Sequence, residues 1–172
     1  MSYWGTANSQ TVVHYLKMTD LTQGDKKLID DIEEYGWHVL NVMEDEQGPG
    51  FCYSIGLYKT FNHPEIVIVG LKPDLGHLLI NNIAEDIKNG KIYQPKQFYS
   101  GILDNFDCFM LQVTHENYDE YFGYGQWYYK DKDFPVLQCI YPTVKGIYPW
   151  ENDWPVNIKD LQPILGCLEE EK

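Results

Sequence analysis

Apolar and polar positions alternate along this chain in two rhythms, and each rhythm names an element. In "LTQGDKKLIDDIEEYG", Leu28, Ile29, Ile32 and Tyr35 recur at helical spacing. Thr22 and Asp25 stand at capping-box spacing before them, and Gly36 can close the end. The pattern then shortens to short apolar runs, and "WHVLNVM", "FCYSIGLY" and "EIVIVGL" read as three strands. The acidic turn "EDEQGPG" separates the first two. Pro73 opens the strongest helical pattern, "PDLGHLLINNIAEDIKNG", with Leu75, Leu78, Leu79, Ile83 and Ile87 predicted on one face and Gly90 at the end.

Two further strands are predicted around Asn105 in "YSGILDNFDCFMLQV", and another in "FPVLQCIY". Between them "THENYDEYFGYGQWYY" reads as a helix with Thr114 as N-cap and Glu116 and Asp119 in its first turn. Strands mostly follow one another directly. The expected fold is therefore a single α+β domain with a mostly antiparallel sheet of about five or six strands packed by two or three helices. The expected boundaries are an N-terminal arm over 1–20, the domain over 21–168 and an acidic tail over 169–172.

Length agrees with one domain, since 172 residues hold one real core and not two. The net charge of -13 comes with no arginine at all, so every cation is a lysine. Arginine is the preferred bidentate partner of phosphate and guanine, so this composition argues against nucleic acid and against anionic membranes as partners. An acidic surface favours a basic partner, although it also serves plain solubility. No apolar run approaches membrane-spanning length, the start lacks a basic-then-apolar signal pattern, and four scattered cysteines form no disulfide framework. These features predict a cytoplasmic protein.

His63-Pro64-Glu65 has the spacing of the first half of a zinc-deaminase signature, in which the histidine holds zinc and the glutamate moves protons. The second half, Pro-Cys-x-x-Cys, is missing, because Cys52, Cys108, Cys139 and Cys167 are all far apart. His115 and Glu116 lack a second histidine four positions on, where Asp119 stands. No metal and no cofactor is expected. The aromatic share of 15% concentrates in Tyr118, Tyr121, Phe122, Tyr124, Trp127, Tyr128 and Tyr129. A helix buries one face only, so part of this set is expected at the surface, where tyrosine and tryptophan act as binding anchors. The alternative is that the rings fill the core.

The motifs "YGWHVLNV", "GPGFCYSIGL", "FNHPEIVIVGL", "FPVLQCIYP" and "GIYPW" occur in this order in a bacterial family that the chain resembles, "domain of unknown function 4262". The resemblance covers roughly 35–165 and implies no activity. It implies motif positions at Trp37, Gly50, Tyr53, Gly56, Leu57, His63, Pro64, Glu65, Gly70, Leu137, Gln138, Pro149 and Trp150. The layout is also similar to suppressor-of-fused-like domains, which act by binding partners and whose bacterial members often sit beside toxins as immunity proteins.

Two functions are expected from these residues. The first is a non-catalytic module, of the immunity or inhibitor kind, that binds a basic protein through Asp119, Glu120, Tyr124, Trp127 and Tyr128, with Trp150 and Trp154 as further contributors. The alternative is a small-molecule-binding or acid–base enzyme domain with a cleft near Tyr53, His63 and Glu65.

Overall fold

The computed structural model describes residues 21–130 and 133–169. The arm expected over 1–20 and the tail beyond Glu169 lie outside the described residues. Six strands form one sheet: β1 (His38–Val42), β2 (Phe51–Ile55), β3 (Glu65–Val69), β4 (Gln97–Leu103), β5 (Phe106–Gln112) and β6 (Val136–Ile140). Their order is β1-β2-β3-β6-β5-β4, and only β3 and β6 run parallel. The helices are α1 (Gln23–Tyr35), α2 (Leu57–Phe61), α3 (Pro73–Lys88), α4 (Tyr118–Tyr121) and α5 (Gly123–Tyr129), with 3-10 turns at His115–Asn117 and Val156–Ile158. The fold is a single α+β domain, as the pattern predicts.

The sheet is covered on both faces. On one, α3 sets Leu79, Ile80, Ile83, Ala84 and Ile87 against Cys52, Ile66, Ile68 and Leu137. On the other, Leu28 and Ile32 of α1 join Tyr118 and Phe122 over Tyr53, Ile55, Val67, Val69 and Val136. Strands β3 and β6 are consequently buried at every position, which is why their sequences are nearly unbroken apolar runs.

Polar side chains of β6 and the C-terminal segment tie that segment down. Gln138 donates from Nε2 to Pro163 O at 2.7 Å and accepts from Leu165 N at 2.8 Å. Gln162 accepts from Tyr141 N and donates to Tyr141 O, at 3.0 and 2.9 Å.

Helix α1 has the predicted capping box, with Thr22 and Asp25 bonding each other's backbone at 2.9 and 3.2 Å, and Gly36 closes it in the left-handed region. Five expectations need correction. Tyr35 is 51% exposed, and Leu75 and Leu78 also face solvent. The buried face of α3 is rotated to run through Gly76, because the helix lies so close to β2 there that a Cβ would sit 2.4 Å from Cys52 Sγ. The strand expected to run through "FCYSIGLY" stops at Ile55, and Leu57–Phe61 turns into a helix. The segment 115–129 is not one helix. It breaks at Phe122, which drops into the core beside Tyr53 and Tyr118 and is followed by two glycines of low helix propensity. Thr114 makes no capping bond there; its hydroxyl contacts Glu116 and Leu165 O.

The strand-to-helix corner depends on Gly56, whose φ of +116° favours glycine and whose Cβ would lie 2.8 Å from Gly36 O. Gly56→Ala is expected to cost about 2–4 kcal/mol. Gly48→Ala, at a site with nothing within 4 Å, should stay within about 0.5 kcal/mol. Urea midpoints of the two variants provide the comparison.

Candidate functional site

The HPE segment enters the core as β3 begins, and its two polar side chains diverge. Glu65 is 1% exposed. Its Oε2 accepts from Ser54 Oγ at 2.5 Å, and Oε1 accepts from Gly56 N at 2.9 Å, Tyr58 N at 3.1 Å and Tyr129 Oη at 2.5 Å. Ser54 Oγ itself accepts from Ile66 N at 2.9 Å, so its own hydrogen is left for Glu65. Burial pushes the Glu65 pKa above the ordinary carboxylate range, and the four donors oppose that push. Burial, and then the Glu65 charge, also push the Tyr129 hydroxyl up, which keeps it a donor.

His63 turns the other way, toward Tyr93. Its Nδ1 lies 2.8 Å from Pro64 O, which can only accept, and its Nε2 lies 3.0 Å from Tyr93 N, which can only donate. The ring is therefore the neutral Nδ1–H tautomer with both nitrogens used. Burial lowers its pKa, opposed by the bond to Pro64. Tyr53 is buried on the α5 side, with its hydroxyl against the backbone at Tyr124 and Gly125. Among the described residues Tyr53, His63 and Glu65 thus share no open cleft; each is enclosed and hydrogen-bonded within the fold.

The aromatic segment divides. Tyr118 and Phe122 are buried, and Tyr118 Oη donates to Phe134 O at 2.7 Å. Tyr124 is 46% and Trp127 43% exposed, edge to face with ring centroids 6.2 Å apart. Asp119 and Glu120 are exposed on the preceding turn, where Gln126 donates to Asp119 at 3.1 Å. Tyr128 accepts from Lys59 Nζ at 3.1 Å, with the ammonium also 5.4 Å from its ring. Trp150 is elsewhere, stacked on Tyr148 at 4.9 Å and set edge-on to Phe109 over β5. Trp154 donates to Ile158 O at 3.2 Å. The two C-terminal tryptophans make no ring contact with Tyr124 or Trp127 among the described residues.

Sequence reasoning passed over a second polar cluster. A groove of about 640 Å³ follows the edge strand β1 between α1 and α3, lined by Asp31, Trp37, His38, Asn41, His77 and Asn81 among others. His38 Nδ1 lies 2.7 Å from Asp31 Oδ2, Asn41 Nδ2 lies 3.2 Å from His77 Nδ1, and Trp37 Nε1 donates to Asn81 Oδ1 at 2.9 Å. The one available signal was the placement of polar His38 and Asn41 within an apolar strand. Nothing in the sequence showed that Asp31 and His77, on two different helices, would meet them.

The model of one family, described as "Domain of unknown function (DUF4262)", matches residues 31–155. The chain belongs to that family. No curated protein and no solved structure matches it, and the likeness to suppressor-of-fused-like domains gains no support. The DUF4262 match spans the Glu65 network, the Tyr124–Trp127 pair and all of the groove's lining except Lys27.

Glu65→Ala should destabilise the fold by about 3–5 kcal/mol, because it strands buried donors. Tyr129→Phe removes one charge-assisted bond and should cost about 1.5–3 kcal/mol. Urea denaturation at neutral pH measures both. A pH series tests His63. Its folded pKa lies below the unfolded value of 6.5, so its contribution is complete above that pH and is lost as pH falls below it. The raised pKa of Glu65 gives the opposite slope, so the difference between wild type and His63→Gln isolates the histidine. That difference in urea midpoint should shrink as pH falls below 6.5.

Proposed function

We propose that this protein is a non-catalytic binding module whose partner is a basic protein, in the manner of an immunity or inhibitor protein. The observation that carries the reading is the exposed Tyr124–Trp127 pair, flanked by the carboxylates of Asp119 and Glu120. Rings of this size at a surface, beside charges of one sign, combine the two parts of a contact: long-range attraction and an apolar anchor. The net charge of -13 supplies attraction over the whole molecule. Tyr128, linked to Lys59, borders the same surface. Trp150 packs on Tyr148 and Phe109 and Trp154 bonds Ile158 O, and neither is assigned to this contact. The enclosed positions of Tyr53, His63 and Glu65 favour a structural role for them over an acid–base one.

The test is affinity capture with the full chain, followed by binding kinetics with the protein captured. Raising salt should slow association and leave dissociation nearly unchanged. Trp127→Ala should speed dissociation by an amount worth about 2 kcal/mol, while its exposed position leaves the urea midpoint nearly unmoved. A partner whose dissociation is indifferent to Trp127 and Tyr124 would sink the assignment of this surface, and the absence of any protein partner would sink the reading.

A further inference from the structure

The sheet has two free edges, and the chain treats them differently. β1 and β4 stand at the ends of the strand order, so each turns unpaired backbone N–H and C=O groups outward. β4 carries guards against a further strand. Its register with β5 shifts between Tyr99 and Leu103, Gly101 there has a φ of +81°, and Pro95 and Lys96 immediately precede it. β1 carries none of these. Its sequence, HVLNV, has no lysine, proline or glycine, and it pairs with β2 in unbroken register from His38↔Ile55 to Val42↔Phe51. Among the described residues, no backbone–backbone hydrogen bond from 38–42 reaches any segment other than β2.

This open edge is the floor of a slot. The groove of about 640 Å³ runs along it, with α1 as one wall and α3 as the other. Successive side chains of β1 turn to opposite walls. His38 turns to α1, where its Nδ1 lies 2.7 Å from Asp31 Oδ2. Trp37 and Asn41 turn to α3, where they meet Asn81 at 2.9 Å and His77 at 3.2 Å. The walls thus stand on opposite faces of the sheet. That arrangement suits a further strand, whose own side chains alternate between the same two faces.

Both walls are acidic. α1 carries five carboxylates against two lysines, and α3 carries three against one. Asp31 and Glu85 line the groove itself, and the lysine in the lining, Lys27, is paired with Asp31 at 2.7 Å. Glu44, Asp45 and Glu46 lie exposed in the turn just past the end of β1. A cationic segment is therefore attracted at both ends of the edge.

We propose that β1 accepts an added β-strand: an extended segment of a partner protein, alternating lysine or arginine with apolar residues, hydrogen-bonds its backbone to the free edge of β1. Its cationic side chains turn to the α1 wall at Asp31, and its apolar ones turn to Trp37 and Val39 on the α3 side. The edge is only about 17 Å long, so the acidic walls, added to the few backbone bonds, set the preference for a basic segment. This surface shares no residue with the Tyr124–Trp127 contact, and either can fail without the other.

The experiment titrates the nitrogen-15-labelled full chain with three peptides: acetyl-KVKVKV-amide, acetyl-EVEVEV-amide, and the lysine peptide N-methylated at every backbone nitrogen. The lysine peptide should shift the amides of 38–42 saturably and slow hydrogen exchange at those that point outward. The glutamate peptide should bind at least about ten-fold more weakly, as opposed charge predicts, and the methylated peptide, which cannot donate, should give no saturable shift. Asn41→Lys sets a guarding lysine at an exposed position of the edge and should weaken binding about five-fold, with melting temperature unchanged. Asp31→Asn should weaken binding and flatten its salt dependence. No saturable shift, equal binding of the glutamate or methylated peptide, shifts centred on β4 or on Tyr124 and Trp127, or full affinity in Asn41→Lys would overturn the proposal. Shifts of 38–42 that depend on protein concentration without peptide, and vanish in Asn41→Lys, would make the occupant a second copy of this chain and overturn the partner assigned here.

Discussion

A carboxylate sealed inside the protein organises the fold. Glu65 lies where water cannot solvate it, and an uncompensated charge there would be prohibitive. Four donors answer it, and they come from β2 (Ser54), from the corner after β2 (Gly56 N), from the start of α2 (Tyr58 N) and from the end of α5 (Tyr129). Each donor constrains its own element. Gly56 N reaches the carboxylate because the chain turns sharply at a φ of +116°, which is why the strand cannot run on through "IGLY". The requirement for a buried acceptor thus fixes a glycine, a helix start and the docking of a helix that lies more than sixty positions further along the chain.

That docking decides what reaches the surface. Successive residues of an α-helix are turned by about 100°. Tyr129 points inward to Glu65, so Trp127, two positions earlier, is turned by about 200° and faces away. Tyr124, three positions before Trp127, returns to within about 60° of it, and the two rings share the outer side. The exposed pair is in this sense a geometric consequence of the buried acid. Phe122 completes the constraint by breaking the segment into two short helices, so that Tyr118 and Phe122 can enter the core without carrying Tyr124 in with them.

What the sequence made legible follows from range. The capping box at Thr22 and Asp25, the Gly36 end and the fully buried runs of β3 and β6 depend on neighbours within a few positions, and all are present. The rotated face of α3 was not legible, because it is set by Gly76 meeting Cys52 of β2, a contact no periodicity encodes. The break at Phe122 was hidden for the same reason: its ring is drawn in by Tyr53, far away in the chain. At the candidate sites, the sequence singled out His63 and Glu65 as chemically unusual but could not say that Tyr93, Ser54 and Tyr129 would use up their hydrogen-bonding capacity. It overlooked Asp31, His38, Asn41 and His77 because their pairing joins two helices across an edge strand.

These two sets of histidines and acids differ in how they are satisfied. Residue type does not separate them, since each contains a carboxylate and imidazole. Occupancy does. At His63 both ring nitrogens are engaged by backbone, and at Glu65 both oxygens are engaged by donors, so a ligand could bind only by displacing bonds that hold the domain together. At His38 and His77 one nitrogen of each ring is engaged and the other is open to solvent. The engaged nitrogen fixes which tautomer the ring adopts, and that choice gives the open nitrogen a defined role as acceptor or donor. A half-satisfied polar pair at an accessible edge costs little stability, because water satisfies the remainder, and it leaves a directional group available. The fully satisfied pair in the core supplies rigidity instead. The HPE segment spends its hydrogen-bonding capacity within the fold, whereas the polar side chains along β1 keep part of theirs for solvent.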